Sequence, residues 1–194
     1  MYLYHFYDKR TGPFRSLAAV PESEALAVLE NIKKERPGSM AAQRDSSYIT
    51  KRRNCEMLVR GEASKKGIVM DIPSPHYMVV EFSPWLSTWY EHPGMIKIPI
   101  EEFDTRKLSF TYGDAMPTFS PLVNDGKEYR KKVYDYEEIL KIIDKYGLPQ
   151  EWNDDGAHGP ERYIEVQVWS NDPVEKYLKA VPEGYSLIRE IIID

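Results

Sequence analysis

Apolar and polar residues alternate along this chain with two periods, and the changes of period divide it into strands and helices. Residues 2–7 place Tyr2, Tyr4 and Phe6 on one side and Leu3, His5 and Tyr7 on the other, as an aromatic-rich β-strand does. From Ser23 to Arg36, Ala25, Val28, Leu29 and Ile32 follow helical spacing, and Pro37-Gly38 stops the helix. A second helix is expected from just after Asp45 to about Gly61, on a thinner stripe of Tyr48, Cys55, Leu58 and Val59. Pro73 and Pro75 break the chain before an apolar run, Tyr77 to Phe82, that reads as a buried strand ending at Ser83-Pro84.

Further strands are expected over 95–100 and 108–112, with Thr105-Arg106 in their connection and Gly113-Asp114 in a turn. The third helix carries the fullest signature. Asp135 and Glu138 make a capping box, Tyr134 staples onto Ile139, Tyr136, Ile139, Leu140 and Ile143 form the stripe, and Gly147 ends it. A polar loop over 149–162 leads to an alternating strand over 163–169. Asp172-Pro173-Val174-Glu175 reads as the cap of a short fourth helix with Pro in its first turn, and 187–193 as a last strand.

Strands and helices do not alternate regularly, so the pattern predicts an α+β fold: a single domain over 1–194, with mixed or antiparallel sheet and about four helices. Hydrophobic residues make up 42% and aromatic residues 12%, enough for a core because each buried ring removes much surface from water. The net charge of −5 is uneven. Residues 1–70 hold 13 Lys/Arg against 8 Asp/Glu, while residues 71–194 hold 13 against 23, leaving room for an anionic partner only in the first third. The first residues lack a basic, apolar leader, and no apolar run reaches the roughly 18 residues of a membrane span. With Cys55 as the single cysteine, the expectation is a cytoplasmic protein without a membrane partner.

Phosphate-loop, dinucleotide-fingerprint, zincin and nucleophile-elbow motifs are absent. Glu151 to Gly156 opens like a calcium loop, but its twelfth position is Arg162, so no metal site is expected there. His5, His76, His92 and His158 share no metal-ligand spacing. Lys51, Arg52 and Arg53, with Arg44, Arg60, Lys65 and Lys66, could grip nucleic-acid phosphates; the plainer reading is a solvated helix face. In the strand at 163–169, Ile164, Val166 and Val168 share one face, and Tyr163, Glu165, Gln167 and Trp169 the other. That second face sets a carboxylate and an amide between rings, a surface that suits a planar, hydroxyl-rich ligand.

Four short stretches, in the same order along the chain, resemble DarT-type ADP-ribosyltransferase toxins: Tyr4-His5-Phe6, residues 75–84 ending in Ser83-Pro84, residues 110–115, and residues 162–168 around Glu165. They cover 26 of the 194 residues. One position departs, because such toxins carry an Arg just before the Ser-Pro step where this chain has Glu81 and Phe82. The resemblance implies NAD as substrate, with no structural cofactor, for ADP-ribosyl transfer or NAD cleavage. It gives Glu165 the catalytic role of stabilising the ribosyl oxocarbenium ion, and makes His5, Tyr77, Tyr163 and Gln167 binding residues. Lys51, Arg52 and Arg53 would then face a nucleic-acid acceptor. The rival readings are a non-catalytic partner- or nucleotide-binding protein and, ranked last, a metal-dependent hydrolase using His158, Asp154 and Asp155.

Overall fold

The computed structural model describes residues 1–178. The strand expected over 187–193 lies outside the described residues. Five strands, β1 (Tyr2–Asp8), β2 (His76–Val80), β3 (Pro93–Pro99), β4 (Leu108–Tyr112) and β5 (Ile164–Val168), form one sheet in the order β3-β1-β2-β5-β4. All four pairings are antiparallel, so the sheet is of the antiparallel kind. Three helices of three turns or more, α1 (Glu22–Glu35), α2 (Ser47–Lys65) and α5 (Tyr136–Tyr146), are joined by four helices of about one turn. These are α3 (Pro84–Ser87), α4 (Ala115–Phe119), α6 (Pro149–Trp152) and α7 (Glu175–Leu178).

The register assigns side chains to the two faces. Leu3, Met78, Val80, Ile98, Phe110, Ile164 and Val166 point into the main core, where Ile139 of α5 meets them. Burying such side chains contributes roughly 1.5–3 kcal/mol each. On the opposite face Tyr4, Val79, Glu165 and Thr111 form one row across four strands. α2 and α4 cover this face through Cys55, Val59, Ala63 and Ala115, which pack with Trp169 just after β5, and α1 packs on α2 through Ala25, Leu29 and Ile49.

The capping box of α5 is present in full, with Asp135 accepting from the Glu138 N–H and Glu138 from the Asp135 N–H. Two expectations need correction. The buried stripe of α2 is Ile49, Cys55, Val59 and Ala63, whereas Leu58 is 52% exposed, and the helix runs through Gly61 because Ala63 beyond it is fully buried. Pro173 does not sit in the first turn of α7. Its peptide bond with Asp172 is cis, Val174 is buried in the main core, and the helix starts at Glu175.

The ladder between β1 and β2 decides the rest. It holds only two pairs, Leu3↔Val80 and Tyr4↔Val79. β1 stays paired with β3 as far as Asp8↔Pro93, and β2 with β5 as far as His76↔Val168. The sheet therefore forks after Tyr4 and Val79.

Candidate functional site

A cavity of about 600 Å³ occupies the fork, and its lining includes Tyr4, His5, Tyr77, Arg52, Tyr163 and Glu165. Strand alternation alone would separate His5 from Glu165, since Glu165 shares its row with Tyr4. The fork lets one cavity reach both faces. The loop from Phe14 to Val20 and the segment from Arg36 to Arg44 complete its walls.

Glu165 is 4% exposed and belongs to a buried chain of hydrogen bonds. The Trp169 indole N–H donates to Ser109 Oγ at 2.8 Å, the Ser109 hydroxyl donates to Gln167 Oε1 at 2.8 Å, and the Gln167 amide donates to Glu165 Oε1 at 3.0 Å. Such a chain fixes the carboxylate's orientation, because every member has its partner. Gln167 is thus fully buried behind Glu165 and does not line the cavity, contrary to its expected place against a ligand. Burial pushes the Glu165 carboxyl up to about 7; the Arg52 guanidinium opposes that shift and the Asp114 carboxylate adds to it.

Arg52 is the site residue that the pattern of the sequence misplaced. Its side chain is 14% exposed, with Nη1 3.9 Å from Glu165 Oε2 and its guanidinium 4.1 Å from the centre of the Tyr77 ring. The neighbouring carboxylate and ring hold it charged. The Tyr77 hydroxyl donates to Glu56 Oε2 at 2.7 Å, so α2 grips Tyr77 from both Arg52 and Glu56. The three basic residues do not form one surface. Lys51 is solvated beside Asp45, while Arg53 donates to the Val20 carbonyl and pairs with Glu22. The signal for Arg52 was its phase, three residues after Ile49 and three before Cys55 on the buried stripe.

Tyr163 is buried and donates to Asp114 Oδ2 at 2.8 Å. Asp114 Oδ1 caps α4 by accepting from the Met116 N–H at 2.7 Å. His5 is held by backbone at both nitrogens: Nδ1–H donates to the Tyr77 carbonyl and Nε2 accepts from the Phe14 N–H, each at 2.8 Å. Burial pushes the imidazole down to about 4, so it is neutral at physiological pH. Glu81 closes the other end of the β1–β2 seam. Its N–H donates to the Tyr2 carbonyl and its carboxylate accepts from the Tyr2 N–H, both at 2.9 Å.

Arg15, Arg36 and Arg44 also line the cavity, and among the described residues none of them forms an ion pair. Arg44 instead lies 4.0 Å from the centre of the Tyr48 ring. The indole N–H of Trp89, another lining residue, is buried without an acceptor.

Among the described residues no group of three or more His, Cys, Asp or Glu is placed to hold a metal ion. In the loop after α6, the buried Asn153 amide donates to the Gly159 and Glu161 carbonyls. No helix among the described residues is long and apolar enough to cross a membrane. Fold and site together define a class: an α+β protein whose forked antiparallel sheet holds a cavity with a buried carboxylate and arginine walls. No family model, curated protein or solved structure matches the chain.

Proposed function

We propose that this cavity binds NAD and that the protein catalyses NAD-dependent ADP-ribosyl transfer or NAD cleavage. The observation that carries the reading is the buried carboxylate of Glu165, fixed by Gln167 and set in a cavity whose lining also holds Arg52, the rings of Tyr77 and Tyr163, and the carboxylates of Asp8 and Asp114. Breaking the nicotinamide–ribose bond sends the bonding pair to nicotinamide and leaves an oxocarbenium ion. A preorganised carboxylate stabilises that charge most where water is excluded. An acceptor hydroxyl or water then attacks the ribosyl carbon and loses its proton. A carboxylate whose affinity for protons is raised toward neutrality is suited to receive it. Arg52 opposes the protonation that burial favours at Glu165, and Tyr77 and Tyr163 offer ring surface to the nicotinamide and ribose. Unpaired Arg15, Arg36 and Arg44 suit the two negative charges of the diphosphate, since planar guanidinium forks match phosphate oxygens.

The rival reading, nucleotide binding without turnover, uses the same arginines and is favoured by how little of Glu165 reaches solvent. One assay separates them. Purified protein is incubated with NAD and nicotinamide release is followed, with Glu165→Gln as control. Release that falls by about 100-fold in the variant supports catalysis, an effect of roughly 3 kcal/mol on the barrier. Binding without release by the wild type supports the rival, and neither binding nor release removes NAD from the account.

A further inference from the structure

We propose that His5 is a positioning residue, a neutral clasp that holds the fork of the sheet at fixed width and hangs the Phe14–Val20 wall over the cavity, rather than a residue that binds ligand. Three elements meet at its ring. His5 is the first residue of β1 beyond the last β1–β2 pair, and its side chain crosses the opening to the Tyr77 carbonyl. Its other nitrogen accepts from Phe14, in the segment between β1 and α1, and the Phe14 ring stacks on the imidazole at 4.0 Å. Tyr7 lies parallel on the ring at 5.9 Å. Both nitrogens are therefore used inside the protein, and the two partners select one tautomer, with the proton on Nδ1.

Phe14 has φ +56, a left-handed conformation that non-glycine residues adopt only when their surroundings impose it. The His5 bond and stack supply that constraint. The wall is tied at its two ends as well. Before it, the Thr11 and Gly12 N–H groups donate to the Asp8 carbonyl, and after it the Val20 carbonyl accepts from Arg53. Between these ends His5 ties Phe14 to β1 by a hydrogen bond and a stack, and the Phe14 ring also meets His76 of β2 edge-on at 5.4 Å. Arg15, next to Phe14, takes its place on the cavity from this arrangement. The clasp does not depend on which ligand the cavity takes, so it stands or falls separately from the NAD reading.

The test is nitrogen-15 NMR of the histidines in the full chain, with amide hydrogen exchange. Near pH 7 the His5 ring should show one protonated nitrogen, Nδ1, and one acceptor, Nε2, and should keep that pattern with ADP-ribose added. The Phe14 amide should exchange slowly although it lies outside any helix or strand. His5→Phe keeps an aromatic ring but removes both hydrogen bonds. It should speed exchange at Phe14 and through residues 15–20 by about tenfold or more, while the β1–β3 amides stay protected. An Nε2–H tautomer, a ring in rapid tautomer exchange, or a tautomer change on adding ADP-ribose would overturn the clasp. So would unchanged exchange at Phe14 in the variant. If His5→Phe does not fold, the wild-type tautomer and the wild-type Phe14 exchange decide alone.

Discussion

The guanidinium of Arg52 stands 3.9 Å from the carboxylate of Glu165, and among the described residues it is the one cation within ion-pair reach of that group. The separation is longer than a hydrogen bond, so Arg52 stabilises the charge of Glu165 without occupying its oxygens. Among the described residues the groups facing Glu165 are Arg52 and Cys55 on α2, Asp114 beside α4, Tyr77 on the neighbouring strand β2, and Tyr163 and Gln167 on or next to its own strand. Arg52 alone among them is a cation. Arg52→Ala should move the alkaline-rising limb of NAD turnover to higher pH, because the buried carboxyl then holds its proton longer. Turnover near pH 7 should drop by about 10-fold or more. Arg52→Lys should bring the limb part of the way back. A limb that does not move would mean Glu165 is not the ionising group.

Glu165 should also cost the fold stability. Its carboxyl is raised from 4.5 to about 7, so between those values the folded state holds a proton that the unfolded chain has released. The unfolded state therefore binds fewer protons, and stability falls as pH rises through that window. Glu165→Gln removes the ionisation and keeps an acceptor for Gln167. Urea unfolding should show the variant more stable than wild type at pH 8, by on the order of 2 kcal/mol, with the gap closing toward pH 4.5. A variant less stable at pH 8 would mean that Arg52 more than offsets the burial.

Much of the fold was legible, and the fork was not, for physical reasons. The strand at 108–112 and the helix capped by Asp135 carry their signals locally, in alternation and in a capping pair three residues apart. Arg52 was read as part of a charged helix face because charge normally means solvent. Only Glu165 and Tyr77, far along the chain, make its burial tolerable. Alternation gives the face of each residue but not where a ladder ends, so it could not foretell that His5 crosses to β2. Gln167 was assigned to the right face, yet its neighbours Ser109 and Thr111 on β4 cover it.

The α5 capping box offers a local test. Asp135→Ala removes the acceptor of the Glu138 N–H and should lower stability by about 1 kcal/mol in urea unfolding, with the m-value unchanged. No loss would mean that the salt bridge of Glu138 to Lys66 anchors the helix start by itself.

Glu161 supplies the last test. It falls in the polar loop that the sequence pattern gives over 149–162, yet its side chain is fully buried, 3.0 Å from Lys127 Nζ and paired with Arg130. Arg130 is itself 7% exposed and also reaches Asp125, so one carboxylate ties the segment after α4 to the start of β5. Removing one member of a buried pair is worse than never burying it, because the partner's charge keeps its desolvation cost and loses its compensation. Glu161→Gln keeps the shape and should destabilise by about 3 kcal/mol. Asp125→Asn acts at a pair partly in water and should lose under about 1 kcal/mol. Glu161 also lies against Gly113, where a Cβ would meet its Cγ at 3.3 Å, and Gly113 leads directly to Asp114. The damage should therefore reach the site: amide exchange at Asp114 and Ala115 should rise in Glu161→Gln and stay unchanged in Asp125→Asn. Equal stability losses in the two variants would show that Arg130, rather than the buried carboxylate, organises this segment.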